Sequence, residues 1–106
     1  MLPTLDLLVL LAVLQLGDEA YGVSVAEAVT DARGADVSMA SVYVALERLE
    51  ERGLVRSTLG EPTPERGGRA KRYFTVTPAG LRAVDATRAV LTRMWAAVPA
   101  FKGDAR

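Results

Sequence analysis

The chain has 106 residues, half of them hydrophobic and a quarter charged, with 13 basic and 13 acidic side chains in exact formal balance. That length suits one domain burying roughly 65% of its unfolded surface, and the composition excludes a disordered chain. With neither cysteine nor histidine present, disulfides, thiolate or imidazole metal sites and the commonest general base are excluded, so neither an enzyme nor a cofactor-bearing protein is expected.

The neutral total hides a division. Residues 1–47 carry one basic and seven acidic side chains, and residues 48–106 carry twelve basic and six acidic ones. Global charge would not draw this chain to a polyanion, but a local patch in its second half could. The N-terminal run LDLLVLLAVLQL is shorter than the roughly 20 apolar residues of a membrane span. It also lacks the positive flank of a signal peptide, because the first basic residue is Arg33. A buried helix from about Thr4 to Leu16, closed by Gly17, is expected instead, in a cytoplasmic protein.

A second, shorter helix is expected in YGVSVAEAVTDARG, ending at Gly34 with Val25, Ala28, Val29 and Ala32 on one face. In VSMASVYVALERLEERG, Ser38 is placed to cap a third helix, since its hydroxyl can accept from a free amide of the first turn. Val42, Ala45, Leu46 and Leu49 recur there at helical spacing and Gly53 stops the run. The far side then presents Ala40, Ser41, Val44, Glu47 and Arg48, with Tyr43 on its flank.

LVRSTL and KRYFTVT, rich in β-branched and aromatic residues, predict two short strands. Phe74 and Val76 fall on one face of the second strand, and Lys71, Tyr73 and Thr75 on the other. The breakers in GEPTPERGGRA make it a long hairpin tip. Thr77 and Pro78 suit the N-cap and first position of a last helix. Along it Leu81, Val84, Arg88, Leu91, Trp95 and Val98 follow at spacings of three and four. Thr87, Val90, Met94 and Phe101 form a second row beside them, and Pro99 is expected to end the helix. So wide an apolar face exceeds what one side of a small domain needs. Three helices, two strands with a long tip and a further helix give a mainly α fold with a two-stranded wing, a winged helix-turn-helix. Residues 1–78 would form the DNA-binding unit, 79–101 a dimerisation helix and 102–106 a frayed tail.

LGDEAYGVSVAEAV, SVYVALERLEERGLV and GGRAKRYFTVTPAG, in this order and spacing, resemble the PadR family of bacterial transcriptional regulators over residues 5 to about 85. The resemblance implies a homodimeric DNA-binding repressor or regulator that acts on a pseudo-palindromic operator and whose C-terminal helix makes the dimer contacts. The chain resembles the short branch, without the multi-helix C-terminal domain of longer members.

On this reading the third helix enters a major groove, with Ser38, Ala40, Ser41, Tyr43, Val44 and Arg48 as candidate contacts. Residues 66–72 hold four cations and no acid. Arg66, Gly67, Gly68 and Arg69 would follow the duplex backbone while Lys71 and Arg72 present charge from the strand. At the second helix Tyr21 either packs its entry or donates its phenol to a phosphate, and Ser24 could assist. Leu81, Val84, Arg88, Leu91, Trp95 and Val98 are the candidate dimer seam. Met94 and Trp95 could line a site for a flat effector there, although an aromatic in a seam is more often packing. The alternatives to a DNA-binding repressor are a winged-helix module for protein partners and a ligand-sensing regulator.

Overall fold

The computed structural model describes residues 1–60 and 70–104, the last three by backbone alone. Helices α1 (Thr4–Leu16), α2 (Gly22–Arg33) and α3 (Met39–Glu51) precede strands β1 (Val55–Leu59) and β2 (Arg72–Val76) and the long helix α4 (Pro78–Ala96). The strands pair antiparallel, from Val55 opposite Val76 to Leu59 opposite Arg72. This is a winged helix-turn-helix with one long helix added. The tip that carries Arg66, Gly67, Gly68 and Arg69 lies outside the described residues.

The core forms where three helical stripes meet. α1 supplies Val9, Leu10 and Val13, α2 supplies Val25 and Val29, and α3 supplies Val42, Leu46 and Leu49, all essentially inaccessible to water. Each such aliphatic side chain contributes about 1.5–3 kcal/mol by leaving water. The wing closes one end through Leu54, Val55 and Phe74. The buried face of α2 is rotated slightly from the expected one. Gly22, Val25, Ala26 and Val29 are buried, while Ala32, in the last turn, is exposed.

Two local features set the angle between α1 and α2. Gly17 closes α1 at φ 58°, a conformation that favours glycine, and a 3₁₀ turn over Gly17–Glu19 follows. The chain then touches the wing before α2 begins. The Phe74 amide donates to the Ala20 carbonyl at 2.8 Å, and Tyr21 bridges Tyr73 as an isolated third strand position. The entry to α2 and the wing are therefore one hydrogen-bonded unit.

Thr77 caps α4 as expected and also ties it down. Its hydroxyl accepts from the Gly80 amide at 3.0 Å and donates to the Gly53 carbonyl at 2.7 Å. Loss of such a cap costs about 1 kcal/mol, so Thr77→Ala should lower the urea midpoint by that equivalent with an unchanged denaturant slope.

α4 stops earlier than its apolar pattern suggests. Its last turn closes at Ala97, whose amide donates to the Arg93 and Trp95 carbonyls, and a 3₁₀ turn runs over Pro99–Asp104. Proline disfavours helical geometry in the residue before it, so Val98 leaves the helix, and Phe101 and the stretch to residue 101 are not part of it. Only Gly80 and Thr87 of α4 are buried. The Cα radius of gyration is 16.0 Å, against about 13 Å for a compact chain of this length. Among the described residues, much of α4 finds nothing to cover it.

Candidate nucleic-acid interface

α3 turns its aliphatic stripe inward and leaves a face of small and polar residues outside. Ser38 accepts from the Ser41 amide at 3.1 Å and donates to the Ser41 hydroxyl at 2.8 Å. The Ser41 hydroxyl thereby keeps its own proton for an outside acceptor. Ala40 and Ser41 are exposed, as are Tyr43 and Val44. The first two turns of α3 thus offer a hydroxyl, a methyl, an isopropyl group and a phenol, with no charge among them.

Tyr43 owes its position to Gly22. A Cβ built on Gly22 would fall on the Tyr43 ring and hydroxyl, so the phenol lies across the first residue of α2 because that residue has no side chain. The Tyr-Gly pair that opens α2 thereby serves two purposes. Tyr21 packs edge to face on Tyr73 with ring centroids 5.6 Å apart, and Gly22 seats Tyr43.

Lys71 places its ammonium 4.0 Å from the centre of the Tyr21 ring, a cation–π contact that holds the charge where the strand leaves the hairpin tip. Tyr21, Gly22, Tyr43, Lys71 and Arg72 line a single hollow of about 320 Å³ between α2, α3 and the wing. Two cations and two phenols from separate parts of the sequence are brought together there, a combination suited to a phosphate.

Arg72 is also steered from α3. Its Nη1 donates to the Ser57 hydroxyl at 2.9 Å, and Ser57 donates to the Glu50 carboxylate at 2.6 Å. Glu50 therefore acts toward the wing rather than as bare negative charge on the groove side. Ser24 is turned inward: its hydroxyl donates to the Glu19 carbonyl at 2.6 Å and accepts from the Tyr21 amide at 3.0 Å. That makes it a bracket for the start of α2.

Arg48 is held by a partner that sequence reading did not supply. Its Nε and Nη2 donate to the two oxygens of Asp6, at 3.2 and 2.5 Å. Asp6 is fully buried in α1, whereas the Arg48 side chain is 45% exposed. The hydrogen bond to Asp6, and then its charge, raise the Arg48 pKa above the ordinary arginine value, so the guanidinium stays charged at any working pH. One signal could have found Asp6, the lone charged residue in TLDLLVLLAVLQL. A charge inside an otherwise apolar helix needs a partner.

Apart from this face, α4 carries a bare apolar stripe. Leu81, Met94 and Trp95 are exposed, Trp95 by 58%, and Val84 and Leu91 are half-buried. Arg88, in the same row, is paired with Asp85 at 2.9 Å. Leu11 of α1 joins Leu81, Val84, Asp85 and Arg88 around a shallow hollow. Val98 flanks the stripe from beyond the helix. No helix among the described residues is long and apolar enough to cross a membrane, and they contain no cluster of acidic side chains fit to hold a metal ion.

Comparison with known proteins agrees with this geometry. A family model described as the transcriptional regulator PadR-like family matches residues 10–86. Among solved structures, a PadR family transcriptional regulator from Eggerthella lenta is 28% identical with a TM-score of 0.66, covering 82% of this chain and 73% of that one. A transcriptional regulator from Clostridium thermocellum is 22% identical with a TM-score of 0.71, covering 85% and 82%. A PadR family regulator from Clostridium difficile is 18% identical with a TM-score of 0.66, covering 87% and 91%. A search of curated protein sequences returned no significant match.

Proposed function

Because the chain belongs to the PadR-like family of transcriptional regulators, a DNA-binding and not an enzymatic family, we propose that it acts in the cytoplasm as a homodimeric repressor on a pseudo-palindromic operator. The observation that carries this reading is an uncharged, exposed first half of α3 flanked by Lys71 and Arg72 at the tip end of β2. An α-helix fits the major groove, and small side chains at its leading end permit close approach. Ser41 donates to a base edge or phosphate, Val44 meets a thymine methyl, and the phenols of Tyr43 and Tyr21 reach the backbone beside Lys71 and Arg72. Arg66 and Arg69 extend that grip along the strand. The α4 stripe, with α1 beside it, forms the seam between two copies. Their recognition helices then enter successive major grooves about 34–36 Å apart.

Selection of preferred duplexes from a random pool, with the assembly state followed by light scattering, tests the proposal. A two-fold symmetric consensus bound by a dimer is expected. A protein that binds only acidic partners and prefers no duplex would instead be an interaction module.

Binding should depend steeply on salt. About six neutralised phosphates per dimer give a ~10³-fold loss of affinity between roughly 50 and 200 mM salt. Arg69→Ala removes one cation per copy, so the slope of log affinity against log salt should fall by about two per dimer while base preference stays the same. An unchanged slope would take the wing tip out of the interface.

The exposure of Met94 and Trp95 favours a second reading, in which a flat effector lies between the two copies and loosens DNA binding. Titration of planar aromatic compounds against Trp95 fluorescence would reveal it.

A further inference from the structure

The Asp6–Arg48 pair lies beside the face assigned to the groove. Arg48 lines a surface hollow of about 290 Å³ with Leu5, Ala40, Ser41 and Val44. Ser41, Val44 and Arg48 are spaced three and four residues apart and so form one row along α3. The guanidinium thus stands at the end of the row that would face the bases, and the end of α1 forms the opposite wall.

A guanidinium has five N–H donors in a fixed plane. Asp6 takes the Nε–H and one Nη2–H, which lie along the same edge of that plane. The other Nη2–H and the two Nη1–H donors have no partner among the described residues. The free Nη2–H and one Nη1–H run parallel, which is the fork that pairs with the O6 and N7 acceptors of guanine. Asp6 is wholly buried, so its carboxylate does not compete for the base or meet the DNA. It can only fix the rotamer of Arg48 and neutralise part of its charge.

We propose that Arg48 reads a guanine in each half-site and that Asp6 is the positioning residue that aims it. This rests on α3 being the groove helix, and it adds which base is read, by which donor pair, and the part taken by a residue on α1. An arginine held on one edge by a buried acid loses little freedom on binding, so its contribution goes into discrimination between bases. Leu5, across the hollow from Val44, adds an apolar wall that suits a thymine methyl next to that guanine.

The test uses the full-length protein and the duplex selected above, with each base pair of the half-site replaced in turn. Wild-type protein should show one G·C pair whose replacement costs roughly 5- to 150-fold in affinity per half-site, as for a bidentate arginine contact. Arg48→Lys keeps the charge but has no fork. It should lower the penalty at that pair, since an ammonium reaches the same acceptors without the planar fork, while penalties at other pairs and the salt slope stay as they were. Asp6→Leu leaves the arginine in place but unaimed, and the penalty at that pair should fall to an intermediate value.

Arg48→Lys leaves Asp6 a weaker partner, so the double variant Asp6→Leu/Arg48→Met, which removes both charges, serves if the single variant folds poorly. It too should lose discrimination only at that pair. A double variant that keeps every base penalty would overturn the guanine contact, and a full penalty in Asp6→Leu would overturn the positioning role. Failure of the wild-type protein to prefer any duplex would remove the groove reading itself, and this inference with it.

Discussion

Gly80→Val is expected to destabilise the protein by about 3 kcal/mol and to lower its melting temperature by roughly 12–24 °C. Gly80 lies in the first turn of α4 and is buried. A Cβ built there would strike the Leu54 carbonyl oxygen and come within 2.7 Å of Val76 Cγ1. The obstacle is backbone that cannot turn aside. The Leu54 carbonyl accepts the Thr77 amide at 3.0 Å, and the Leu54 amide is itself bonded to the Leu49 carbonyl at 2.9 Å. Added atoms must therefore push α4 away from β1. The alanine variant gives a sharper test through its sign. At an exposed helical site Gly→Ala stabilises by about 1 kcal/mol, whereas at Gly80 it should destabilise. Thermal melts followed by far-UV circular dichroism check both variants, and an alanine variant as stable as the parent would mean that α4 is not seated on β1 in this way.

Gly80 also illustrates how much of the molecule its sequence discloses. Periodicity and caps predict the four helices in place: Ser38 and Thr77 stand where their hydroxyls accept first-turn amides. They announce themselves because caps and stripes are interactions between residues three or four apart. Gly80, in contrast, looks like an ordinary glycine near a helix start, and only the seating of the first turn of α4 against Leu54 and Val76 shows why a side chain is excluded. The same holds for Gly22, whose purpose appears when Tyr43, from the next helix, is laid across it.

Charge was legible as composition but not as geometry. The basic run at residues 66–72 stands out in a neutral chain. Nothing in it foretells that Lys71 rests on the ring of Tyr21 or that Arg72 is steered through Ser57 to Glu50. Arg48 is the sharper case. In sequence it sits among glutamates on a solvent face, and its partner lies 42 residues away in a helix that reads as plain core. Long-range polar pairs have no period, so pattern reading misses them unless the misfit residue, here Asp6, is made to account for its charge.

Leu91→Asp is expected to give a monomer in solution and to reduce operator affinity about 10²- to 10⁴-fold, since the second half-site is no longer delivered at high effective concentration. α4 divides into two parts. Up to Thr87 it rests on its own domain. There the Thr87 hydroxyl accepts the Leu2 amide at 3.4 Å, while no residue of the helix after Thr87 is buried. Leu91 is half-buried, with Trp95 and Met94 exposed one turn further on. A contiguous apolar strip of this kind is costly in water and marks an interaction surface. Pairing two such strips, with the adjoining edge of α1, is the arrangement that would hide them in both copies at once.

An aspartate at position 91 would bury a charge in that seam opposite its symmetry mate. In the separated chain it would sit at a half-open site, so the fold itself should survive. Ala89→Asp adds the same charge on the far side of α4, two residues away, and should leave both assembly and affinity intact. Sedimentation and operator titration of the two variants side by side isolate the seam from net charge, and a Leu91→Asp protein that remained paired would put the dimer contact somewhere other than α4.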